Sequence, residues 1–187
     1  MDVEILERRV VHERWNRLIE TKVRLPNGVV EPRVIEDHGH ATAILLYNPE
    51  RRVALLIKQP RAPVIASGVE PMFEVVAGMR DDKSDEATAR AEALEEAGVA
   101  VTDLEKVGRI WSMPAVSTEQ LDLFLGAYAD RDRVTAGGGA ETENECIDVH
   151  EVPLAELARM MADGRLVDGK TFILVQALML RRPDLFV

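Results

Sequence analysis

Residues 74–100 read EVVAGMRDDKSDEATARAEALEEAGVA, and this stretch decides the fold. An apolar, strand-like run ends at Ala77-Gly78, and an Ala-rich helical stretch follows and is closed by Gly98. At about 100° per residue, three carboxylates share an arc of roughly 100° on one helix face: Glu92, Glu95 and Glu96. The opposite face, which is expected to pack on a sheet, carries Ala87, Ala93, Leu94 and Ala97.

The carboxylate cluster has two interpretations. An acidic run on an Ala-rich helix is usually a solvated face. Clustered carboxylates also repel one another, however, and a bound divalent cation relieves that repulsion. Mg²⁺ suits the arrangement because it prefers oxygen ligands and completes its shell with water and substrate phosphates, and Mn²⁺ is the expected substitute. The strand, acidic loop and helix in this order favour the metal-binding interpretation.

This strand–loop–helix order, with Gly at both ends, resembles the Nudix box, the signature of hydrolases that act on nucleoside diphosphates linked to another moiety. Gly78 matches the first Gly of that box, and Gly98 matches its last Gly. Glu92 matches the Glu of its Arg-Glu step, and Glu95 and Glu96 match its Glu pair. Two features differ from the general pattern. The loop after Gly78 is one residue shorter and carries Lys83-Ser84 in the stretch where the first Glu of the pattern is expected. Arg90 also stands one position before the usual Arg, so that it points away from the carboxylates.

The resemblance extends over roughly residues 15–180. Further segments look like the ADP-ribose pyrophosphatase group of that family, and most like its GDP-mannose-hydrolysing branch. These segments are GHATAILLYNPERRVALLIKQPR at 39–61, AGGGAETENE at 136–145, IDVHEVP at 147–153 and DGKT at 168–171. Where relatives often carry Pro-Gly-Gly, this chain has Pro114-Ala115-Val116.

The resemblance implies an enzyme that uses Mg²⁺ to hydrolyse the pyrophosphate bond of a nucleoside diphosphate sugar. GDP-mannose would give GMP and mannose 1-phosphate, and ADP-ribose would give AMP and ribose 5-phosphate. The alternative is a non-catalytic module of the same fold that binds a nucleotide sugar as a sensor. Retention of the helical carboxylates, which repel without metal, favours the enzyme.

The metal ligands and the general base follow from the same comparison. Glu92 and Glu96, at i and i+4, are the favoured ligands, and Glu95 is a further ligand or an outer-shell group. The resemblance adds the backbone carbonyl of Ala77. The base is expected on the acidic loop after the Gly-rich segment, where the candidates are Glu141, Glu143 and Glu145. Glu145 is favoured because Asn144-Glu145-Cys146-Ile147 is similar to an Asn-Glu-Asp-Ile segment of relatives.

Seven residues are expected to bind substrate. Lys58, Gln59 and Arg61 follow a buried strand and are placed to reach phosphate, and Arg suits bidentate contacts to oxygen. The remaining candidates come from the resemblance: Glu74, Lys170, Arg33 contributed across a dimer interface, and Trp15 of a partner subunit. Trp15 is expected either to stack on a base or to have a buried packing role. The four histidines are expected to be structural or solvated because they lack ligand spacing: His12, His38, His40 and His150.

Composition limits the function classes. The chain has 187 residues, enough for a proper core, and a net charge of −10, which disfavours nucleic acids and anionic membranes as partners. Its one cysteine excludes an intrachain disulfide. The N-terminus is charged throughout, and no run approaches the roughly 20 apolar residues of a membrane span. A soluble, cytoplasmic protein is therefore expected.

The order of elements predicts an α/β fold, and the resemblance implies the same: an α/β/α sandwich with a mixed sheet. Hairpins are predicted at 18–35, around Pro26-Asn27-Gly28, and at 41–57. Further strands are expected at 72–76, 107–111 and 121–128, and helices at 85–97, 153–163 and 170–180. The expected domains are a small N-terminal β-subdomain at 1–38 and a hydrolase domain at 39–187. A homodimer built through the β-subdomain follows from the resemblance, and a two-stranded hairpin is marginal alone.

Overall fold

The structure is a computed structural model that describes residues 2–80, 82–139 and 146–187. Its strands are β1 Glu4–Glu13, β2 Arg17–Arg24, β3 Val30–Asp37, β4 Ala41–Asn48, β5 Val53–Lys58, β6 Val76–Met79, β7 Leu104–Trp111, β8 Gln120–Ala127 and β9 Asp148–Pro153. Its helices are α1 Ala62–Ala66, α2 Asp85–Ala97, α3 Leu154–Ala162 and α4 Gly169–Arg181, with 3₁₀ turns at Asp130–Asp132 and Pro183–Phe186.

The chain divides into two compact units. The smaller unit runs to His40 and includes Ile110–Leu121, and the larger unit comprises Ala41–Arg109 and Asp122–Val187. The smaller unit thus takes in a loop from the middle of the chain, while the domain boundary after residue 38 stays a prediction.

The smaller unit is built on an antiparallel sheet in the order β1-β2-β3. Its β2–β3 hairpin is the one predicted around Asn27-Gly28, where Gly28 has φ 83°. All ten residues of β1 are exposed. By contrast, Ile19 and Thr21 of β2 are buried. The first strand therefore has backbone pairing on one edge but little packing of its own.

The larger unit contains a six-stranded mixed sheet in the order β7-β8-β4-β5-β9, with β6 also paired to β4. All eight residues of β4 are buried, so both faces of this strand are covered. Ile44 and Leu46 share a core cluster with Ala89 and Ala93 of α2. Because successive side chains of a strand alternate between faces, Leu45 and Tyr47 point to the other side, where α4 contacts β4. Helices therefore cover both faces of the sheet, as the predicted layers require.

Most predicted elements are present, and one strand was misplaced. The hairpins and helix α2 lie where the sequence indicates, but the strand predicted at 72–76 begins only at Val76. Its Glu74 instead forms an isolated antiparallel bridge to Ile57 of β5. The pattern had not indicated three elements: β1, α1 and β9.

Candidate functional site

Helix α2 has a capping residue at each end. Ser84 is its N-cap, and its side chain accepts a hydrogen bond from the Ala87 N–H at 3.3 Å. Gly98 closes the helix with φ 72°, a left-handed conformation that an L-residue with a Cβ adopts only under strain. The two caps enclose a helix of 13 residues and so fix the position of its carboxylates along the helix axis.

The packing face of α2 differs from the predicted one. Ala87 and Leu94 are exposed, Leu94 at 41%, and were wrongly placed against the sheet. The buried residues are Thr88, Ala89, Ala93, Glu96 and Ala97. The acidic and packing faces therefore adjoin instead of opposing each other, because the strand under the acidic edge is built of small residues.

Glu92 approaches the backbone of β6 at Gly78. A Cβ built on Gly78 would lie 2.1 Å from both Cδ and Oε1 of Glu92. Glu96 is only 2% exposed, and its Oε2 accepts a hydrogen bond from the Ala77 N–H at 3.1 Å. The structure thus brings Ala77, Glu92 and Glu96 together, whereas Glu95 is exposed on the helix edge. We call Ala77, Glu92 and Glu96 the carboxylate platform.

The Gly-rich segment docks on the C-terminal end of α2. The Gly138 N–H donates to the Glu96 carbonyl at 2.8 Å, and the Gly139 N–H donates to the Glu95 carbonyl at 3.1 Å. A Cβ on Gly137 would lie 2.3 Å from the Glu96 carbonyl oxygen, so only glycine permits this approach. These bonds satisfy carbonyls that a helix end leaves without partners. The segment that leads toward the acidic loop is therefore anchored beside the carboxylate platform.

The general-base candidates lie outside the described residues: Glu141, Glu143 and Glu145. Within the described part of the chain, no group of three or more His, Cys, Asp or Glu side chains is arranged to hold a metal ion. The platform has two described carboxylates, those of Glu92 and Glu96. This number fits a cation that takes the rest of its shell from water and substrate phosphate.

Arg61, Glu74 and Lys170 form a second charged cluster. Nε and Nη2 of Arg61 contact the two carboxylate oxygens of Glu74 at 3.0 and 3.1 Å, and Nζ of Lys170 lies 2.5 Å from Oε2. Lys170 also donates to Asp168 at 3.0 Å. Asp168 in turn caps α4 by accepting from the Thr171 N–H at 3.0 Å. Three predicted substrate-binding residues thus converge, and the DGKT segment serves as the N-terminus of α4.

Charge pairing controls the ionisation of this cluster. Burial by itself would raise the pKa of Glu74, but the hydrogen bonds and charges of Arg61 and Lys170 hold that pKa below its ordinary value. Burial also opposes the charge of Arg61. Its bonds to Glu74, with the charges of Glu96 and Asp168, nevertheless raise its pKa. The guanidinium therefore feels the platform carboxylate Glu96 as well as its direct partner.

Lys58 and Gln59 lie at the end of β5. Nζ of Lys58 sits 4.5 Å from the centroid of the Phe73 ring, and His150 meets the same ring edge-on at 5.3 Å. Gln59 is 7% exposed, and its Oε1 has no hydrogen-bond partner among the described residues. A buried acceptor of this kind fits a role in holding a ligand, but that role stays a prediction.

Trp15 and Arg33 belong to the smaller unit. Trp15 is 78% exposed, which excludes a buried packing role within this chain, and its ring lies 5.4 Å from that of His38. Arg33 forms an ion pair with Glu31 and donates to the Pro32 carbonyl at 2.9 Å. Both residues are presented on the surface of their unit, in keeping with a contact to something outside it.

His38 is held between two carboxylates, Glu36 at 2.7 Å and Glu119 at 3.1 Å. Burial by itself would lower its pKa, but the hydrogen bonds and charges of both carboxylates raise it. These contacts agree with the structural role expected for this histidine.

Sequence reasoning missed an ion-pair cluster at the start of α2. Asp85 lies 2.9 Å from Arg80, 3.2 Å from Lys106 and 3.3 Å from Arg109. Asp122, only 1% exposed, pairs with the same Lys106 and Arg109 at 2.6 and 2.7 Å. The cluster ties α2 to β7 and β8. The only signal in the sequence was an acidic residue inside the apolar run of β8.

Arg90 bonds to backbone carbonyls. Its guanidinium donates to the carbonyls of Thr102 at 2.7 Å and Glu86 at 3.3 Å, in agreement with the direction expected from its shifted position.

Known proteins resemble this chain in sequence and in fold. The model of the NUDIX domain matches residues 37–172, which contain both the carboxylate platform and the DGKT segment. The chain belongs to the NUDIX family.

Curated relatives in the family cover most of the chain. A GDP-mannose pyrophosphatase of Pectobacterium atrosepticum is 36% identical over 96% of this chain and 95% of its own length. A GDP-mannose pyrophosphatase of Citrobacter koseri is 37% identical over 78% of this chain and 76% of its own length. A solved structure described as an ADP compounds hydrolase shares the fold with a TM-score of 0.78 at 15% identity, covering 98% of this chain and 96% of that one.

No helix in the described ranges is both long and apolar enough to cross a membrane.

Proposed function

We propose that this protein hydrolyses the pyrophosphate bond of a nucleoside diphosphate sugar with the help of bound Mg²⁺. GDP-mannose would give GMP and mannose 1-phosphate, and ADP-ribose would give AMP and ribose 5-phosphate. One observation carries the proposal: the carboxylates of Glu92 and Glu96 meet the backbone of β6 at Ala77-Gly78. The relatives named GDP-mannose pyrophosphatase support the substrate class.

The platform fits the metal by its donor chemistry. Its donors are oxygen atoms only, and Gly78 leaves the space that a Cβ would take from the Glu92 carboxylate. Glu92, Glu96 and the Ala77 carbonyl would hold the ion, with Glu95 as a further or outer ligand. Mn²⁺ is expected to substitute. When bound, the ion would neutralise charge on the phosphate oxygens and lower the pKa of a bound water.

The chain's own residues supply the remaining steps. The oxygen of water bonds to one phosphorus, the bond from that phosphorus to the bridging oxygen breaks, and the second monophosphate leaves. The water proton passes to a carboxylate of the acidic loop, for which Glu145 is the first choice and Glu143 and Glu141 are the alternatives. The Gly-rich segment beside Glu96 supports this assignment, because it leads directly into that loop.

The Arg61–Glu74–Lys170 cluster is proposed to bind the substrate. Lys170 is 13% exposed and Arg61 39% exposed at the side chain, so both cations reach the surface while Glu74 stays buried beneath them. A buried carboxylate fixes the two cations in orientation, which reduces the entropy lost when they bind phosphate. Lys58 and Gln59 would extend this surface from β5.

A substrate panel tests the proposal. The protein is incubated with Mg²⁺ and GDP-mannose, ADP-ribose, UDP-glucose or NADH, and the products are identified. Monophosphate release is expected from at least one of them. Glu96→Gln is expected to lower the rate by about 10³-fold, because metal stabilisation of the transition state is worth several kcal/mol. Failure of the wild type to release monophosphate from any substrate would leave the binding-module alternative standing.

We also propose a homodimer formed through the smaller unit. All of β1 is exposed, including Ile5 at 53% and Val10 at 48%. A strand that exposes apolar side chains along its length is a candidate for pairing with another chain. Sedimentation velocity should give twice the mass of the chain. A cytoplasmic location stays a prediction from the sequence.

A further inference from the structure

Two buried threonine hydroxyls lie in the apolar layer between α2 and the sheet. Thr42 of β4 is 1% exposed and Thr88 of α2 is 2% exposed, and neither Oγ1 has a hydrogen-bond partner within the described ranges. The core cluster of this layer includes Ile44, two residues after Thr42 on β4, and Ala89, which follows Thr88 in α2. A buried hydroxyl without a partner costs about 1–3 kcal/mol, and valine would fill the same shape without that cost. A polar interaction of the two hydroxyls would explain why threonine and not valine stands at both positions.

The strand register places Thr42 on the side of β4 and β6 that Glu92 approaches. Thr42 pairs with Gly78 across the antiparallel β4–β6 ladder, and directly paired residues point to the same face with Cβ positions about 4.5–5.5 Å apart. On Gly78, that Cβ position lies 2.1 Å from Cδ of Glu92. The side chain of Thr42 thus stands beside the Glu92 carboxylate, on the face of the sheet that α2 covers.

Thr88 reaches the same carboxylate along the helix. It lies four residues before Glu92, and residues at i and i+4 have Cβ atoms about 5–6 Å apart on one helix face. Thr88 is buried, so this face is the one turned to the sheet. Two hydroxyls, one from the strand and one from the helix, therefore flank Glu92 from separate elements.

We propose that Thr42 and Thr88 are positioning residues that hold the Glu92 carboxylate through a shared buried water. Two hydroxyls and one carboxylate oxygen give such a water three polar partners, the number that buried waters typically bond. One oxygen of Glu92 is then fixed from the sheet side, and the other is directed to the metal. The inference rests on the proposed metal platform.

Metal affinity tests this arrangement without any turnover. Mn²⁺ and Mg²⁺ are titrated into the substrate-free protein by calorimetry for wild type, Thr42→Val and Thr88→Val. Each valine variant should bind metal about tenfold more weakly, since loss of an outer-shell partner typically costs 10–100-fold. Thr42→Ser and Thr88→Ser keep the hydroxyl and should restore the wild-type affinity, which a role in packing alone would not predict.

Tyr128→Phe is the matched control. Tyr128 is 4% exposed, belongs to the same apolar cluster, and its hydroxyl also has no partner among the described residues. The Tyr128 N–H donates to the carbonyl of Tyr47. Tyr47 lies five residues along β4 from Thr42, which separates the two residues by about 17 Å. This variant should bind metal as the wild type does. Thermal unfolding of every variant checks that it is folded.

Three results would overturn the inference. Unchanged affinity in both valine variants would do so, as would an equal loss in Tyr128→Phe or a failure of both serine variants to restore binding. If the wild type itself binds no metal, the platform and the proposed function fail together with the inference. Wild-type binding and turnover with unaffected valine variants would instead overturn the threonine role alone.

Discussion

Strands β1 and β4 are held by different means. All of β4 is buried between helices, and its sequence, ATAILLYN, is a nearly continuous apolar run. All of β1 is exposed, and its sequence, EILERRVVHE, mixes charged and apolar residues without period. Pairing to β2 and surface ion pairs such as Lys22–Glu7 at 2.7 Å hold β1 in place. A strand buried on both faces has a clear apolar pattern in the sequence and contributes strongly to the stability of the fold. A strand held by surface pairing has no such pattern and contributes little.

The sharpest test of this difference compares a buried charge pair with an exposed one. Glu74→Gln removes a 2% exposed carboxylate and leaves Arg61 and Lys170 without their shared anion. Breaking a fully buried pair typically costs about 3–5 kcal/mol, but Arg61 is 39% exposed and Lys170 keeps its contact with Asp168, so a cost of about 2 kcal/mol is expected here. Urea unfolding at pH 7 should show a loss of this size. Glu7→Gln, which breaks the exposed pair with Lys22 on β1, should leave the urea midpoint unchanged.

Acid adds a second readout for Glu74. Its pKa is lowered in the folded protein, so its contribution to stability is present above the ordinary carboxyl pKa of about 4.5 and is lost as the pH falls through the lowered value. Wild-type stability should therefore decline below about pH 4.5, and the Glu74→Gln variant should decline less steeply there. Equal pH profiles would show that the cluster does not stabilise the fold.

The next effect concerns the contact between β6 and α2. Gly78→Ala places a Cβ 2.1 Å from the Glu92 carboxylate, which must then move. Displacement of a reacting group by about 1 Å can cost about 10²-fold in rate, so we expect a 10- to 100-fold loss of kcat/KM.

Gly108→Ala is the matched control for that change. Gly108 also lies in a strand, β7, and a Cβ there would meet no atom within 4 Å. Its kcat/KM should stay within about twofold of wild type, because no ligand is displaced. Equal losses in the two variants would show that alanine disturbs the sheet in general and does not act through Glu92.

The smallest effect on folding is expected on β1. Val10→Lys changes a side chain that is already 48% exposed, so the free energy of unfolding of the isolated chain should change by less than about 0.5 kcal/mol. The same change places a charge in the proposed dimer contact. Sedimentation should therefore show a shift toward monomer. Val134→Lys, at a 57% exposed position of the larger unit, should leave the mass unchanged, and a dimer unaffected by Val10→Lys would exclude β1 from the interface.

Much of the larger unit could be predicted from local signals. The caps Ser84 and Gly98 and the i, i+4 spacing of Glu92 and Glu96 define the platform helix, and the apolar run of β4 defines a strand covered on both faces. The face on which α2 packs could not be predicted. Leu94 was expected on the packing face and Glu96 on the opposite face, because a helical wheel places residues only by their angle around the axis and contains no information about the small residues of the strand beneath.

The sequence by itself determined the family, most of the elements around the site and the pair of helical carboxylates, because these depend on spacing along single segments. Only the tertiary structure decided what each residue of the 74–100 stretch contacts. Gly78 lies against Glu92, the Gly-rich segment caps α2, and Arg61 and Lys170 meet at Glu74. The two partners of Glu74 alone lie 13 and 96 positions away from it in the chain. Residues so far apart in the sequence come into contact only when the sheet and its helices assemble.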